Sequence, residues 1–256
     1  VVRLIILAMG ALMVSQCLAG ETVRVGVNHA PPYRIIAEGG VSGFYVEVFE
    51  EIADRLDWDV QYIQAPFRRI LRLMESGEVD FMLGPLKTAE REVYMDYVVD
   101  AFPPERRLFF YRQPQNRILS YDDLLDKRIG VLRGSRYFPA FDNDPRLIRE
   151  AGIRYENLMR MLERDYVDVV IAPELVGLYT LKQEGVEAEV SPFFVPGERS
   201  WIAVSRKSRL LPYGDAIRQA MAEIQAWHIY DRLLLRYLQR TSRMGEPSVT
   251  EEVSVQ

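Results

Sequence analysis

The stretch Glu163-Arg164-Asp165-Tyr166-Val167-Asp168-Val169-Val170-Ile171-Ala172 has an earlier counterpart, Glu75-Ser76-Gly77-Glu78-Val79-Asp80-Phe81-Met82-Leu83-Gly84. In each, a helical pattern gives way to Val-Asp and then to a short apolar run that reads as a strand. A second echo precedes the first in each half. Val23-Arg24-Val25-Gly26-Val27 returns as Arg128-Ile129-Gly130-Val131-Leu132. Two echoes in the same order imply two lobes of related design.

The segments around these anchors fit α/β architecture. Thr22 to Val27 alternates apolar and polar residues, as a half-buried strand does. From Gly43 to Asp57, Phe44, Val48, Ile52 and Leu56 recur every four residues, which is helical spacing. Asp59 to Ile63 reads as a strand. Phe67 to Ser76 reads as a helix stopped by Gly77. Thr88 is placed to cap a short helix, with Glu90 in its first turn where a carboxylate suits the helix dipole. Trp201 to Ser205 reads as a late strand after the Pro196-Gly197 turn. Leu210 to Leu238 reads as mostly helical, broken near Trp227-His228. Strands alternating with helices predict mixed sheets flanked by helices. If the last strand and helix return to the first lobe, two crossings join the lobes and create a hinge and a cleft. The expected division is lobe 1 over 21–112 and 195–240, and lobe 2 over 113–194. A disordered tail is expected over 241–256, where the sequence is polar and aperiodic.

Composition narrows the function. The chain has 256 residues, 32 Lys and Arg against 37 Asp and Glu, a formal charge of −5, and one cysteine. An acidic chain lacks the positive field that bulk nucleic-acid binding needs. One cysteine excludes an intrachain disulfide and a cysteine-based zinc site. His29 and His228, the two histidines, have no fixed carboxylate partner in the sequence, so no metal site is expected. The start, Arg3 followed by the apolar run Leu4–Val14 and small residues near Ala19, has the pattern of a cleaved signal peptide over 1–20. An uncleaved anchor is the other reading, but Ser15 and Gln16 cut the run short of a ~20-residue span. Lipidation at Cys17 fits poorly because Gln16 precedes it. The expected location is therefore the periplasm.

An ordered set of short motifs adds a resemblance. Ala30-Pro31-Pro32-Tyr33 is followed by Gly43-Phe44-Tyr45-Val46-Glu47-Val48, then by Phe67 before a helix, then by Gly77-Glu78-Val79-Asp80. Thr88-Ala89-Glu90-Arg91, Asp96-Tyr97, Gly130-Val131-Leu132-Arg133-Gly134-Ser135 and Tyr166-Val167-Asp168 complete it. The set, over about 22–240, resembles the bacterial extracellular solute-binding proteins of the amino-acid type, family 3. The resemblance implies the two-lobed periplasmic-binding-protein fold (type II). It also implies capture of a small polar ligand, an amino acid or related carboxylate, for delivery to an ABC permease. A monomer without cofactor is expected.

The resemblance also implies site residues. Arg91, in the Thr-x-x-Arg motif, would hold the ligand carboxylate, since a guanidinium fork matches a carboxylate with two charge-assisted hydrogen bonds. The alternative is a solvated helix arginine. Phe67 would pack on the ligand; core packing is the alternative. Tyr33 would offer a hydroxyl, unless it is a surface loop residue. Gly134 and Ser135 would offer backbone and hydroxyl donors at a strand-to-helix turn, unless they form an ordinary cap. Gly84 opens the segment Gly84-Pro85-Leu86-Lys87, where the family carries small hydroxyl residues. Those donors are missing here. The family's acid for the ligand ammonium falls at Pro173, and Glu174 beside it is the expected substitute. Arg68, Arg69, Arg72, Arg133 and Arg136 lie near the cleft ends and would favour a more anionic ligand, unless they form a solvated basic face. Two other functions fit this fold: a sensor partner for a membrane receptor, and a dehydratase of cyclic amino acids. For the latter, Glu174 is the one acid–base candidate, and no nucleophile–base motif accompanies it.

Overall fold

A computed structural model describes residues 20–243, with side chains described as far as Tyr237. The expected signal segment, Cys17 included, falls outside the described residues except for Gly20. Residues 244–256 of the expected tail also fall outside them.

The chain folds in order as β1 (Glu21–Val27), β2 (Ile35–Ala37), β3 (Gly40–Ser42), α1 (Phe44–Arg55), β4 (Trp58–Gln64), α2 (Phe67–Ser76), β5 (Phe81–Leu83), α3 (Ala89–Glu92) and β6 (Met95–Phe102). Then follow β7 (Arg107–Tyr111), β8 (Arg128–Leu132), α4 (Pro139–Asn143), β9 (Ile148–Gly152), α5 (Tyr155–Glu163), β10 (Val169–Pro173), α6 (Glu174–Glu184) and β11 (Glu189–Val195). The chain closes with β12 (Ser200–Ser205), α7 (Gly214–Ala226) and α8 (Ile229–Arg243). The break between α7 and α8 is at Trp227 and His228, where His228 takes a left-handed backbone with φ 54°. Helix α8 carries on through Arg243, so the expected tail boundary at 241 lies inside a helix.

Two mixed five-stranded sheets form the lobes, in the orders β4-β1-β5-β12-β6 and β11-β7-β10-β8-β9. Their designs match. A parallel trio, β4-β1-β5 or β9-β8-β10, is extended by an antiparallel neighbour, β12 or β7. The register repeats as well: Gly26 pairs with Met82 in one sheet and Gly130 with Val170 in the other. Each glycine lets a side chain press on the central strand. A Cβ on Gly26 would lie 2.6 Å from Ile70, and one on Gly130 3.1 Å from Val170.

The sheet pairing corrects one boundary. Strand β7 was expected to end lobe 1, at 112. It instead hydrogen-bonds antiparallel to β10 and β11 in the second sheet. The physical reason is its sequence: Leu108-Phe109-Phe110-Tyr111 is buried throughout and needs cover on both faces, which an interior strand receives. The first crossing between lobes is therefore 103–106, and the second, between β11 and β12, is 196–199. The crossings touch: a Cβ on Gly197 would lie 1.7 Å from the Glu105 carbonyl oxygen.

Local signals explain two helix limits near the cleft. Helix α2 buries Phe67, Ile70, Leu73 and Met74 on one face, and Gly77 ends it in the left-handed region at φ 81°. Thr88 Oγ1 accepts the Arg91 backbone N–H at 3.3 Å and starts the single turn α3. That cap sets the direction of the Arg91 side chain.

Candidate functional site

A small cavity, about 70 Å³, lies between the lobes and beside both crossings. Lobe 1 lines it with Tyr33, Arg34, Tyr45, Phe67, Gly84, Leu86 and Arg91. Lobe 2 lines it with Arg107, Leu132, Ser135, Arg136, Tyr137, Tyr155, Pro173 and Val176, and the crossings supply Pro103, Glu105 and Glu198.

Arg91 is almost fully buried. Its guanidinium centre sits 5.6 Å from the centroid of the Phe67 ring. Nη1 donates to the Leu86 carbonyl at 3.1 Å, and Nη2 reaches across the cleft to the Gly134 carbonyl at 3.0 Å. Burial lowers its pKa, although guanidinium remains charged at any physiological pH. A buried arginine held by neutral carbonyls keeps attraction in reserve for an anion, and a low-dielectric wall such as Phe67 strengthens it.

The other end of the cavity is aromatic and cationic. Tyr33 stacks on Tyr45 at 4.4 Å, and Tyr45 on Phe102 at 3.6 Å. Arg34 packs over the Tyr45 face, 5.4 Å from the ring centroid, and donates to the Leu83 carbonyl at 2.9 Å. The Tyr45 and Ser200 hydroxyls share a hydrogen bond of 3.2 Å. Gly84 has φ 85°, and a Cβ there would strike Tyr45 and Arg34, so only glycine lets these side chains meet the turn. Arg107 is buried too, and its Nη1 donates to the Glu105 carbonyl at 2.6 Å. The Glu105 carboxyl accepts the backbone N–H of Leu175. Burial pushes its pKa up to about 7 against the pull of that N–H and of Arg107.

The structure thus gathers Tyr33, Phe67, Gly84, Arg91 and Ser135 around one cavity. Gly134 stands behind that wall and contributes its carbonyl to Arg91. Glu174 is elsewhere. It forms an ion pair with Arg106 and is absent from the cavity lining. It opens helix α6 directly after Pro173, and that turn points its side chain along the crossing. Of the two acids that line the cavity, Glu105 is half-buried and Glu198 is exposed. Leu86 and Pro173 line the wall, so the donors expected from the family pattern are replaced by apolar surface.

Arg34, Tyr45, Glu105, Arg107, Tyr137 and Tyr155 escaped the sequence reading. Glu105-Arg106-Arg107 held a usable signal: a charged run between two apolar strands at a change of lobe. Of the five surface arginines, Arg136 lines the cavity and pairs with Glu90 across the cleft at 2.6 Å. Arg68, Arg69, Arg72 and Arg133 are exposed. His29 Nδ1 accepts the Ile36 N–H at 3.0 Å, and Nε2 lies 3.3 Å from Glu156 of the other lobe. His228 lies 3.1 Å from Asp231 on the surface. Among the described residues no cluster of three His, Cys, Asp or Glu is arranged to hold a metal. Among them, too, no helix is long and apolar enough to cross a membrane.

The sequence matches bacterial extracellular solute-binding proteins, family 3, over residues 23–240. The chain belongs to this family. A putative amino-acid ABC transporter-binding protein of Vibrio harveyi is 22% identical over 237 residues, covering 89% of this chain and 92% of that protein. A probable histidine-binding protein of Campylobacter jejuni is 22% identical over 181 residues, covering 63% of this chain and 69% of that protein. Among solved structures, an ancestral arginine-binding protein bound to arginine superposes with a TM-score of 0.74 at 22% identity, covering 86% of this chain and 99% of that one. The family's solute-binding fold accounts for the paired sheets, the two crossings and the cavity between them.

Proposed function

We propose that this chain captures a small carboxylate-bearing solute between its lobes, outside the cytoplasmic membrane, and hands it to an ABC permease. The observation that carries this reading is Arg91: a buried guanidinium on the Phe67 face, in a cavity bounded by both lobes. Its Nη2 bond to Gly134 crosses the cleft, so a ligand bound beside it would contact both lobes at once. Closure around the ligand would then mark the loaded form for a partner. Tyr33, Phe67, Gly84 and Ser135 would shape the pocket. Gly134 would act through Arg91. Glu105 takes the acidic role first assigned to Glu174. The protein works in this reading as a monomeric binder and not as an enzyme.

The test is thermal unfolding of protein stripped of ligand by denaturation and refolding. The panel holds amino acids, dicarboxylates, polyamines and aromatic acids. A ligand specific for the folded state adds ~2.7 kcal/mol at a hundredfold excess over its Kd. The expected result is a shift with a carboxylate class that Arg91→Ala abolishes, with the ligand recovered chemically unchanged. A shift that survives Arg91→Ala, or a ligand recovered as a new compound, defeats the reading.

A further inference from the structure

The cavity's charges do not balance. Four arginines and two glutamates line it. Arg136 is taken by Glu90, and Glu198 is exposed. That leaves Arg34, Arg91 and Arg107 facing Glu105. These three arginines are buried, and every acceptor they meet among the described residues is a backbone carbonyl: Asn28 and Leu83 for Arg34, Leu86 and Gly134 for Arg91, Glu105 for Arg107. No carboxylate lies within 4.0 Å of them among the described residues. Carbonyl dipoles position a guanidinium but do not neutralise it. A buried charge left without a counter-charge is a cost that folding alone does not justify.

The arginines fall into two groups. Arg91 belongs to the wall made by Phe67, Leu86 and Gly134. Arg34 is set against Tyr45 and Gly84, while Arg107 follows the crossing at Glu105. Both groups open on the same small cavity. A single carboxylate at Arg91 would leave the second group uncompensated. A cationic side chain at that end would face Arg34 and Arg107 with one glutamate to offset them.

We infer that the ligand carries two anionic groups on a short skeleton, one held by Arg91 and the other by Arg34 and Arg107, as in a small diacid. This rests on the cavity being the ligand site and extends that reading to substrate class. A short skeleton follows from the small cavity on which both groups of arginines open. Diacids with and without an amine share this chemistry. Glu105, the half-buried acid of the lining, separates them: an ammonium group gains from it and an amine-free diacid does not.

Isothermal titration of the unmodified, ligand-stripped protein tests the inference. The ligands are succinate and glutarate, aspartate and glutamate, butyrate, glutamine, and arginine. Diacids are expected to bind at least a hundredfold tighter than butyrate, glutamine and arginine. Arg107→Gln and Arg34→Gln, with folding checked by circular dichroism, are expected to erase that preference by weakening diacid binding at least tenfold more than butyrate binding. Aspartate and glutamate binding above succinate and glutarate would mark an amine-bearing diacid, and the reverse an amine-free one. Both orders support the two-anion site. Glutamine or arginine binding as tightly as the diacids, and lost in Arg91→Ala, would overturn this inference and leave the cleft reading standing. Binding by none of these ligands, or diacid binding unaffected by Arg91→Ala, would overturn both.

Discussion

Arginine does two different jobs in this molecule. Arg24, in the middle of β1, and Arg128, at the start of the equivalent strand β8, each clamp the aspartate of the repeated Val-Asp motif. Arg24 gives Asp80 its backbone N–H, Nε and Nη2, each at 2.9 Å. Arg128 gives Asp168 the same three donors at 2.8, 3.1 and 2.7 Å. These arginines are half-exposed, and their charge is matched within the fold. Arg34, Arg91 and Arg107 are buried, and theirs is not. A matched pair serves the fold. An unmatched buried cation leaves its strongest interaction to something outside the chain.

The contrast breaks most sharply at Arg91. Arg91→Met should lower ligand affinity at least a hundredfold, about 2.7 kcal/mol, in calorimetry. The ligand-free protein should keep or gain thermal stability, because a desolvated charge has been removed. A loss of stability larger than the loss of affinity would place Arg91 with the structural clamps.

Asp80→Asn should do the opposite, with about 2–3 kcal/mol lost in urea unfolding and ligand affinity unchanged. Asp80 is 2% exposed and also accepts the Ser208 hydroxyl at 2.6 Å, whereas Asp168 is 21% exposed. Asp168→Asn should therefore cost less, about 1 kcal/mol. Burial pushes the Asp80 carboxyl up, but the hydrogen bonds from Arg24 and Ser208 outweigh it and hold the pKa below 3.8. Its contribution is complete above pH 3.8 and is lost as pH falls through the lowered native value. An acid titration of Asp80→Asn should show that part of the pH dependence removed.

Glu105 sharpens the comparison from the acidic side. Its pKa of about 7 against 4.5 means that the folded state favours the neutral acid. This contribution to stability is full below pH 4.5 and is lost as pH rises toward 7. Glu105→Gln should flatten stability over that window, followed by thermal unfolding at pH 5 and pH 8. An amine-free diacid should bind this variant more tightly than the parent at pH 8.

The smallest effect belongs to the His29–Glu156 contact between lobes. The Ile36 N–H on Nδ1 fixes the proton on Nε2, so neutral His29 donates to Glu156. Burial holds the His29 pKa below its ordinary value. Charging the ring would cost the Ile36 hydrogen bond, so stability should fall below about pH 6.5 as the unfolded chain takes up the proton. His29→Gln should reduce that slope by a few tenths of a kcal/mol, and an unchanged slope would assign it to other groups.

The sequence by itself determined the repeated α/β design, the length and stop of α2, the cap before Arg91, and membership of a two-lobed family. Those features are written in local signals: the Val-Asp echo, helical periodicity, Thr88, Gly77. It also pointed to Arg91, Phe67, Tyr33, Gly84 and Ser135, because short motifs carry them. Tertiary structure alone decided that β7 belongs to the second sheet, that Glu174 turns to Arg106, and that Glu105 faces the cavity. It also decided that Arg34 and Arg107 join Arg91 there. Residues so far apart in the chain meet only when the crossings bring two sheets together. Whether a buried arginine has a counter-charge depends on every side chain around it, and no local pattern in the sequence records that sum.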